Sequence, residues 1–178
     1  MSGTHGSSKR CLVAAAALLV LSASVAYTQE QEAILRLKNQ IIDLQNRGTL
    51  AFKDAALCSK VLGFGSYVPL EEPAIEQGGE LLLYYEPINV FTNRIGGQYE
   101  IWYTQDILLE SGDGEGLYEQ EDLLVFHYYS RSPVFDLFAT NSLNLGNLPP
   151  GKYLYKAVLK DQLKDARAEL SLPFRIVP

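Results

Sequence analysis

Short aromatic and β-branched runs, separated by glycine- and proline-rich turns, dominate the sequence after residue 61. Such punctuation predicts β-strands joined by tight loops. The turns are Gly78-Gly79, Gly96-Gly97, Gly112-Asp113-Gly114 and Pro149-Pro150-Gly151. The predicted strands cover residues 61–68, 80–91, 98–109, 123–129, 134–139, 152–159 and 168–177. About seven short strands of this kind predict a mainly β fold, an immunoglobulin-like antiparallel β-sandwich.

Residues 152–170 fit two patterns. Lysines recur there at helical spacing, while apolar and polar residues also alternate as in a strand. The preceding turn 149–151 favours two strands joined by a turn at 161–165. In the second predicted strand, Pro87 predicts an edge position or a bulge because proline cannot donate to a ladder.

The N-terminus has the features of a secretory signal peptide. Lys9 and Arg10 precede sixteen uncharged residues at 11–26, and small residues at 24–26 suit a cleavage site near Ala26. A retained anchor is the alternative, but a span needs about 20 apolar residues. The predicted domains are a signal peptide at 1–26, a helix and linker at 27–57 and the sandwich at 58–178. The protein is therefore predicted to be exported, to the periplasm or beyond the cell, with no stable membrane span in the mature chain.

Residues 29–47 predict a short N-terminal amphipathic helix ending near Gly48. Its apolar residues recur at helical spacing and form one stripe: Ile34, Leu37, Ile41 and Leu44. The stripe is too short for a coiled coil. Packing onto the following domain is the expected use, and self-association is the alternative.

Loss of Lys9 and Arg10 with the leader changes the formal net charge from −6 to −8. An acidic chain argues against nucleic acid and against anionic membranes as partners. The mature chain keeps one cysteine, Cys58, which cannot form an internal disulfide. We expect Cys58 to be a small buried apolar residue, with an intermolecular disulfide or a reactive thiol as the alternative.

The middle of the chain is acidic, since no Lys or Arg lies between Arg94 and Arg131. The candidate partner-facing segment consists of Asp106, Glu110, Asp113, Glu115, Glu119, Glu121 and Asp122. Uncompensated carboxylates would attract a basic protein surface. Calcium binding by the loop 110–122 is an alternative, but Leu117 stands fifth from Asp113, where an EF-hand loop needs an oxygen ligand. A solvated loop is the simplest interpretation of these charges.

The central strands are rich in aromatic residues. An exposed subset would form a carbohydrate-binding patch, and its candidates are Trp102, Tyr103, Tyr128 and Tyr129. Adjacent strand residues point to opposite faces, so at least one of each neighbouring pair is expected in the core. Core packing is the simplest interpretation of most of the aromatic residues, and the exposed patch is the alternative.

Catalysis finds little support in the sequence. His127 is the only histidine of the mature chain, and strand alternation opposite Phe126 and Tyr128 places it on a sheet surface. No serine lies in a nucleophile elbow, and too few His and Cys residues exist for a zinc site. We therefore predict no catalytic residues, no metal and no cofactor. A hydrolase with paired carboxylates is a minor alternative.

Several motifs resemble a group of uncharacterised exported bacterial proteins with a C-terminal immunoglobulin-like sandwich. The resemblance covers residues 58–177 and rests on Gly79-Glu80, Leu83-Tyr84-Tyr85, Asn89-x-Phe91, Pro149-Pro150-Gly151-x-Tyr153, Asp161 and Phe174-x-Ile176. It implies the fold but no activity. The predicted function is an exported, non-enzymatic binding or structural module with a protein partner, with carbohydrate binding as the alternative.

Overall fold

The computed structural model describes residues 29–178, so the predicted signal peptide lies outside the described residues. The chain divides into two compact units, Met1–Ile41 and Ile42–Pro178. Helix α1 covers residues 29–47, as predicted. The strands that follow are β1 (Ala51–Gly63), β2 (Ser66–Pro69), β3 (Ala74–Glu76), β4 (Glu80–Ile88), β5 (Thr92–Ile95), β6 (Gln98–Ser111), β7 (Gly116–Ser130), β8 (Ala139–Asn144), β9 (Gly151–Asp161) and β10 (Ala166–Val177).

The strands form two sheets, and the fold is mainly β, consistent with a β-sandwich. The four-stranded sheet has the order β2-β1-β4-β8. The six-stranded sheet has the order β3-β10-β9-β6-β5, and β7 also pairs with β6. Pairing is antiparallel except between β3 and β10. Strand β6 therefore carries β7 on one edge and β5 followed by β9 on the other.

Both sheets contribute to one hydrophobic core. Alternate residues of β4, including Leu81, Leu83 and Tyr85, are fully buried. The other sheet supplies inward-facing residues of β6, β9 and β10 to the same cluster. Within it, the Tyr85 hydroxyl donates a 2.5 Å hydrogen bond to Oε1 of the buried Gln105, so the core also contains a polar contact between the sheets.

The β9–β10 hairpin confirms the strand interpretation of residues 152–170, with its turn at 162–165. Pro87 lies where β4 pairs only with β1, because the ladder to β8 ends at Tyr85. This agrees with the predicted edge position. Proline's missing N–H costs no ladder bond on the side that has no partner strand.

Two predicted strands are replaced in the structure, and two observed strands were not predicted. Residues 61–68 are not one strand but the end of β1, a turn and β2. Gly65 has a φ of 62° in that turn, a conformation that favours glycine. The predicted strand at 134–139 is replaced by β8, which begins at Ala139, and β3 and β5 were not predicted. Strands β3 and β5 have three and four residues, which is too few to show alternation of apolar and polar side chains.

The segment predicted as a linker contains the first half of β1. This strand begins at Ala51, before the predicted domain boundary at Cys58. A bulge at Asp54, with φ of 50°, interrupts the alternation of buried and exposed residues there. Because a bulge shifts side chains to the other face, the sequence pattern of β1 is hidden.

In the second compact unit, the buried residue of α1 is Ile42, which is 0% exposed, whereas Leu44 of the predicted stripe is 62% exposed. The helix ends against the β9–β10 turn. Lys164 Nζ donates to the backbone oxygens of Asn46 at 2.6 Å and Gly48 at 3.1 Å. A cation at a helix C-terminus satisfies orphan carbonyls and complements the helix dipole. No helix in residues 29–178 has the length and hydropathy required to cross a bilayer.

Candidate functional site

The acidic segment runs along β6, around a tight turn and into β7. Antiparallel pairing of β6 with β9 brings two lysines beside it. Lys160 Nζ lies 2.7 Å from Asp106 and 3.6 Å from Asp122, and Lys156 Nζ lies 2.6 Å from Glu110. The expectation of uncompensated charge is therefore wrong for these three carboxylates. The lysines are about fifty positions away in the sequence, so only the strand order shows the pairing.

The other four acidic residues remain unpaired. Asp113, Glu115, Glu119 and Glu121 are exposed, and none forms an ion pair within residues 29–178. The turn is held by local hydrogen bonds, including one from Glu115 N to Ser111 Oγ at 3.1 Å. Within residues 29–178, no group of three or more His, Cys, Asp or Glu side chains could hold a metal ion. Glu121 still attracts Lys160 without forming an ion pair with it, so the least compensated negative charge lies on the turn and at Glu119.

A bulge divides β7 into two halves. Gln120 pairs with Ile107 and Leu124 pairs with Gln105, so three residues of β7 lie opposite one residue of β6. Asp122 has a φ of 48°, and its N–H donates to Asp106 Oδ1 at 2.9 Å. Bulges increase twist and redirect side chains. This bulge separates an acidic half, 116–122, from an uncharged half, 123–130.

A cluster of aromatic and polar side chains lies on the outer face of β5, β6 and β7. Trp102 of β6 stands opposite His127 of β7, and the two rings stack with centroids 4.4 Å apart and an interplanar angle of 13°. The Tyr129 ring lies 5.0 Å from the His127 ring. Trp102 is 36% exposed and Tyr129 is 48% exposed. The rings therefore form a partly open aromatic surface, with His127 on the sheet surface where alternation predicted it.

Glu100 is the polar centre of this surface. Its carboxylate is largely buried, with the residue 7% exposed. Oε1 accepts a 2.6 Å bond from the Tyr129 hydroxyl and lies 2.9 Å from His127 Nε2, while Oε2 accepts a 3.1 Å bond from Asn93 Nδ2. These bonds, that from Tyr129 first, lower the pKa of Glu100 to about 2. The same bond raises the pKa of Tyr129. We call Asn93, Glu100, Trp102, His127 and Tyr129 the Trp102 cluster.

The structure separates the four aromatic residues of the predicted patch. Tyr103 is 1% exposed and belongs to the core, so it cannot take part in a surface patch. Trp102 and Tyr129 lie together on the outer face. Tyr128 is 45% exposed but projects from the opposite face of β7. The expectation that one residue of each neighbouring pair is buried fails for Tyr128 and Tyr129 because the end of β7 is an edge.

Sequence reasoning missed Glu100 and Asn93. Both lie in short polar stretches, and their role depends on the register that sets Asn93 opposite Glu100 and Glu100 opposite Tyr129. No spacing in the sequence gives that register. The exposed position of His127 was the one available signal.

Surface depressions lie on both sheets. A depression of about 450 Å³ on the six-stranded sheet is lined by side chains of both charges, including Glu119, Lys156 and Arg167. An apolar depression of about 340 Å³ on the four-stranded sheet is lined by Leu62 and Phe138 among others. The first depression adjoins the acidic segment, which contributes Glu119 and Glu121 to its wall, and the second is an apolar surface.

Cys58 is buried, as predicted, and is 4% exposed. Its Sγ lies 3.4 Å from the backbone oxygen of Ala56. Burial raises the pKa of the thiol, so little thiolate is present at neutral pH. This environment does not suit a reactive cysteine.

No family model and no curated protein matches this chain. Among solved structures, it is similar to Pseudomonas fluorescens alkylpurine DNA glycosylase AlkC bound to DNA, at 9% identity and a TM-score of 0.43, over 83% of this chain and 36% of that one. This chain thus spans about a third of AlkC's length. It is also similar to the C-terminal domain of Wzt, at 14% identity and a TM-score of 0.43, over 74% and 75% of the two chains. The CARDB domain of the PF1109 protein from Pyrococcus furiosus matches at 10% identity and a TM-score of 0.32, over 72% and 86%. Such weak similarities carry no functional argument.

Proposed function

We propose that this chain is an exported, non-enzymatic binding module with an immunoglobulin-like sandwich, and that its partner is a protein with a basic surface. The basic and apolar leader at 9–26 supports export. The observation that carries the binding proposal is the set of four exposed carboxylates without ion pairs in residues 29–178: Asp113, Glu115, Glu119 and Glu121. Nucleic acid is disfavoured as the partner because this surface would repel phosphates.

Apolar side chains accompany the charges on this surface. Leu117 is 39% exposed and Tyr118 is 41% exposed, and both lie between Glu115 of the turn and Glu119 of β7. Charged groups at the rim of an interface steer encounter, while aromatic and apolar residues supply most of the binding energy. The acidic half of β7 therefore offers both contributions to a protein partner.

The Trp102 cluster supports a non-enzymatic role although it brings a histidine, a carboxylate and a hydroxyl together. Both Glu100 oxygens already accept hydrogen bonds from protein groups. An effective general base has a pKa near the operating pH, whereas the pKa of Glu100 is about 2. A carboxylate held by three donors at a low pKa serves instead to fix the rings around it.

Pull-down from an envelope extract tests the proposal. Glu115→Lys/Glu119→Lys reverses the charge of the proposed surface, and Glu71→Lys/Asp136→Lys is the control with equal charge change at exposed positions elsewhere. We expect the native protein and the control to retain a partner that Glu115→Lys/Glu119→Lys releases. About 1 M salt should release the same partner, because the Debye length then falls to about 3 Å. Equal recovery by both variants would contradict the proposal.

Carbohydrate binding at the Trp102 cluster is the second candidate. The exposed rings of Trp102 and Tyr129 beside a fixed carboxylate favour it, since sugars bind aromatic faces flanked by polar groups. A glycan array with Trp102→Ala, and Tyr118→Ala as the exposed aromatic control, tests it. Binding lost only in Trp102→Ala would support this candidate, and binding that persists in that variant would exclude the site.

A further inference from the structure

Strand β7 presents a long unpaired edge. Across the described residues 29–178, its ladder partner is β6, and no strand pairs with its other side. Every second residue of an edge strand directs its N–H and C=O away from the sheet, which makes such an edge a template for another strand. Native sheets usually protect long edges with charges, proline or bulges.

The two halves of this edge differ in protection. The half before the bulge carries Glu119, Glu121 and Asp122, and the bulge itself ends regular pairing there. Residues 123–130 contain no charge and no proline. Large apolar side chains are exposed on both faces of that half, with Val125 58%, Tyr128 45% and Tyr129 48% exposed. The second half of β7 is therefore an unprotected, apolar edge.

We propose that this edge binds a second copy of the chain, with the two β7 strands pairing antiparallel about a two-fold axis near His127. An axis through His127 places Val125 of each copy opposite Tyr129 of the other. It also places Phe126 opposite Tyr128 on the other face. Aromatic–aromatic and aromatic–β-branched pairs are the cross-strand pairs that stabilise antiparallel ladders. The segment is thus complementary to itself.

The charges that flank the segment support the same partner. Arg131 directly follows β7, is exposed and forms no ion pair within residues 29–178. An axis through His127 brings it opposite residue 123 of the other copy, beside Glu121 and Asp122. The acidic halves of the two strands then extend beyond each other instead of facing each other. Opposite charges therefore meet at both ends of the apolar segment, and like charges do not.

Symmetry makes the association finite. A two-fold contact uses the same edge of both copies, so a dimer leaves no free half-edge for a third. The bulge at 121–123 also prevents the paired ladder from continuing into the acidic half. The dimer contact and the proposed acidic interface share Glu121, but the inference does not rest on that interface, because Asp113, Glu115 and Glu119 stay outside the dimer contact.

Sedimentation velocity of the protein as recovered from the expressing cell, over a range of concentrations, tests the dimer. Val125→Lys places a charge on the unprotected edge, and Leu62→Lys is the control at an apolar residue that is 65% exposed on β1. We expect a dimer whose dissociation constant rises about tenfold or more in Val125→Lys and is unchanged in Leu62→Lys. A native protein that stays monomeric up to about 0.5 mM would overturn the proposal, as would equal dimerisation of the two variants.

A charge exchange tests the register independently of folding. Arg131→Glu should weaken the dimer, and Arg131→Glu/Glu121→Arg should restore it, because the second change re-creates opposite charges across the contact. A dimer that Arg131→Glu leaves unchanged would refute the proposed register. A strand of a different protein on the same edge would give a mixed complex and a monomeric native protein in the ultracentrifuge, which also contradicts the self-pairing.

Discussion

Asp161 accepts hydrogen bonds from three backbone N–H groups in two segments of the chain. The residue is 2% exposed and ends β9. Its Oδ2 accepts a 2.6 Å bond from the N–H of Phe91, immediately before β5. Its Oδ1 accepts 3.0 Å bonds from the N–H groups of Leu163 and Lys164 in the β9–β10 turn. The side chain thus connects this turn to the start of β5, whose Asn93 contacts Glu100.

We expect Asp161→Ala to lower the free energy of unfolding by about 3 kcal/mol. A hydrogen bond to a charged group contributes about 1.5–3 kcal/mol. Water can replace part of this stabilisation at the turn, where Lys164 is exposed, so the expected loss stays below the sum of three such bonds. Asp161→Asn keeps an oxygen for the turn and sets an NH₂ group against the Phe91 N–H, so a loss of about half that size is expected.

Urea unfolding followed by the fluorescence of the single tryptophan measures both losses. Asp136→Ala, an exposed aspartate, is the control and should change stability by less than about 0.5 kcal/mol. If Asp161→Ala costs no more than this control, the three bonds do not stabilise the fold. A loss in Asp161→Asn as large as in Asp161→Ala would show that the turn bonds contribute nothing.

Three further predictions follow from titratable side chains. In a carboxyl ¹³C NMR titration, Glu100 should show a pKa of about 2. Its contribution to stability is therefore present above pH 4.5 and is lost as the pH falls through about 2. Tyr129→Phe should move this pKa back towards 4.5. Burial raises the pKa of Tyr84 and Tyr103 from 10.0 to about 12. Ultraviolet titration should therefore show both hydroxyls ionising near pH 12, and the free energy of unfolding should fall between pH 10 and 12. Ionisation of all tyrosines near pH 10 in the folded protein would refute this prediction. Cys58 should react with a thiol reagent only as fast as the protein opens, and immediate labelling would contradict its burial.

The sequence was sufficient where structure depends on local chemistry. Turns with glycine and proline located most of the strands, and alternation in β9 identified its inward face correctly, from Tyr153 to Leu159. It failed where an irregularity hides the period, as at the Asp54 bulge of β1. It also failed for β3 and β5, which are held by pairing to β10 and β6 and not by their own propensity.

The candidate sites depend almost entirely on contacts between distant residues. The acidic segment is visible in the sequence, but its charge balance depends on the position of β9, which supplies Lys156 and Lys160. The same holds for Glu100, whose partners His127 and Tyr129 lie 27 and 29 positions away. Composition shows which charges a chain carries. Strand order decides which of them remain free.

If the Trp102 cluster binds carbohydrate, the second candidate function, the proposed dimer would change that binding. A two-fold axis between antiparallel strands of one sheet is perpendicular to that sheet, so both copies present their outer faces on the same side. The two Trp102 side chains would then be three strand spacings apart, about 14 Å. A repeating ligand could contact both clusters at once, and the second contact would benefit from a high effective concentration. Val125→Lys should therefore weaken binding of a polymeric ligand far more than binding of its monomer unit. Trp102→Ala should weaken binding of both ligands equally. If Val125→Lys weakens binding of the polymer and of the monomer equally, the two clusters act independently.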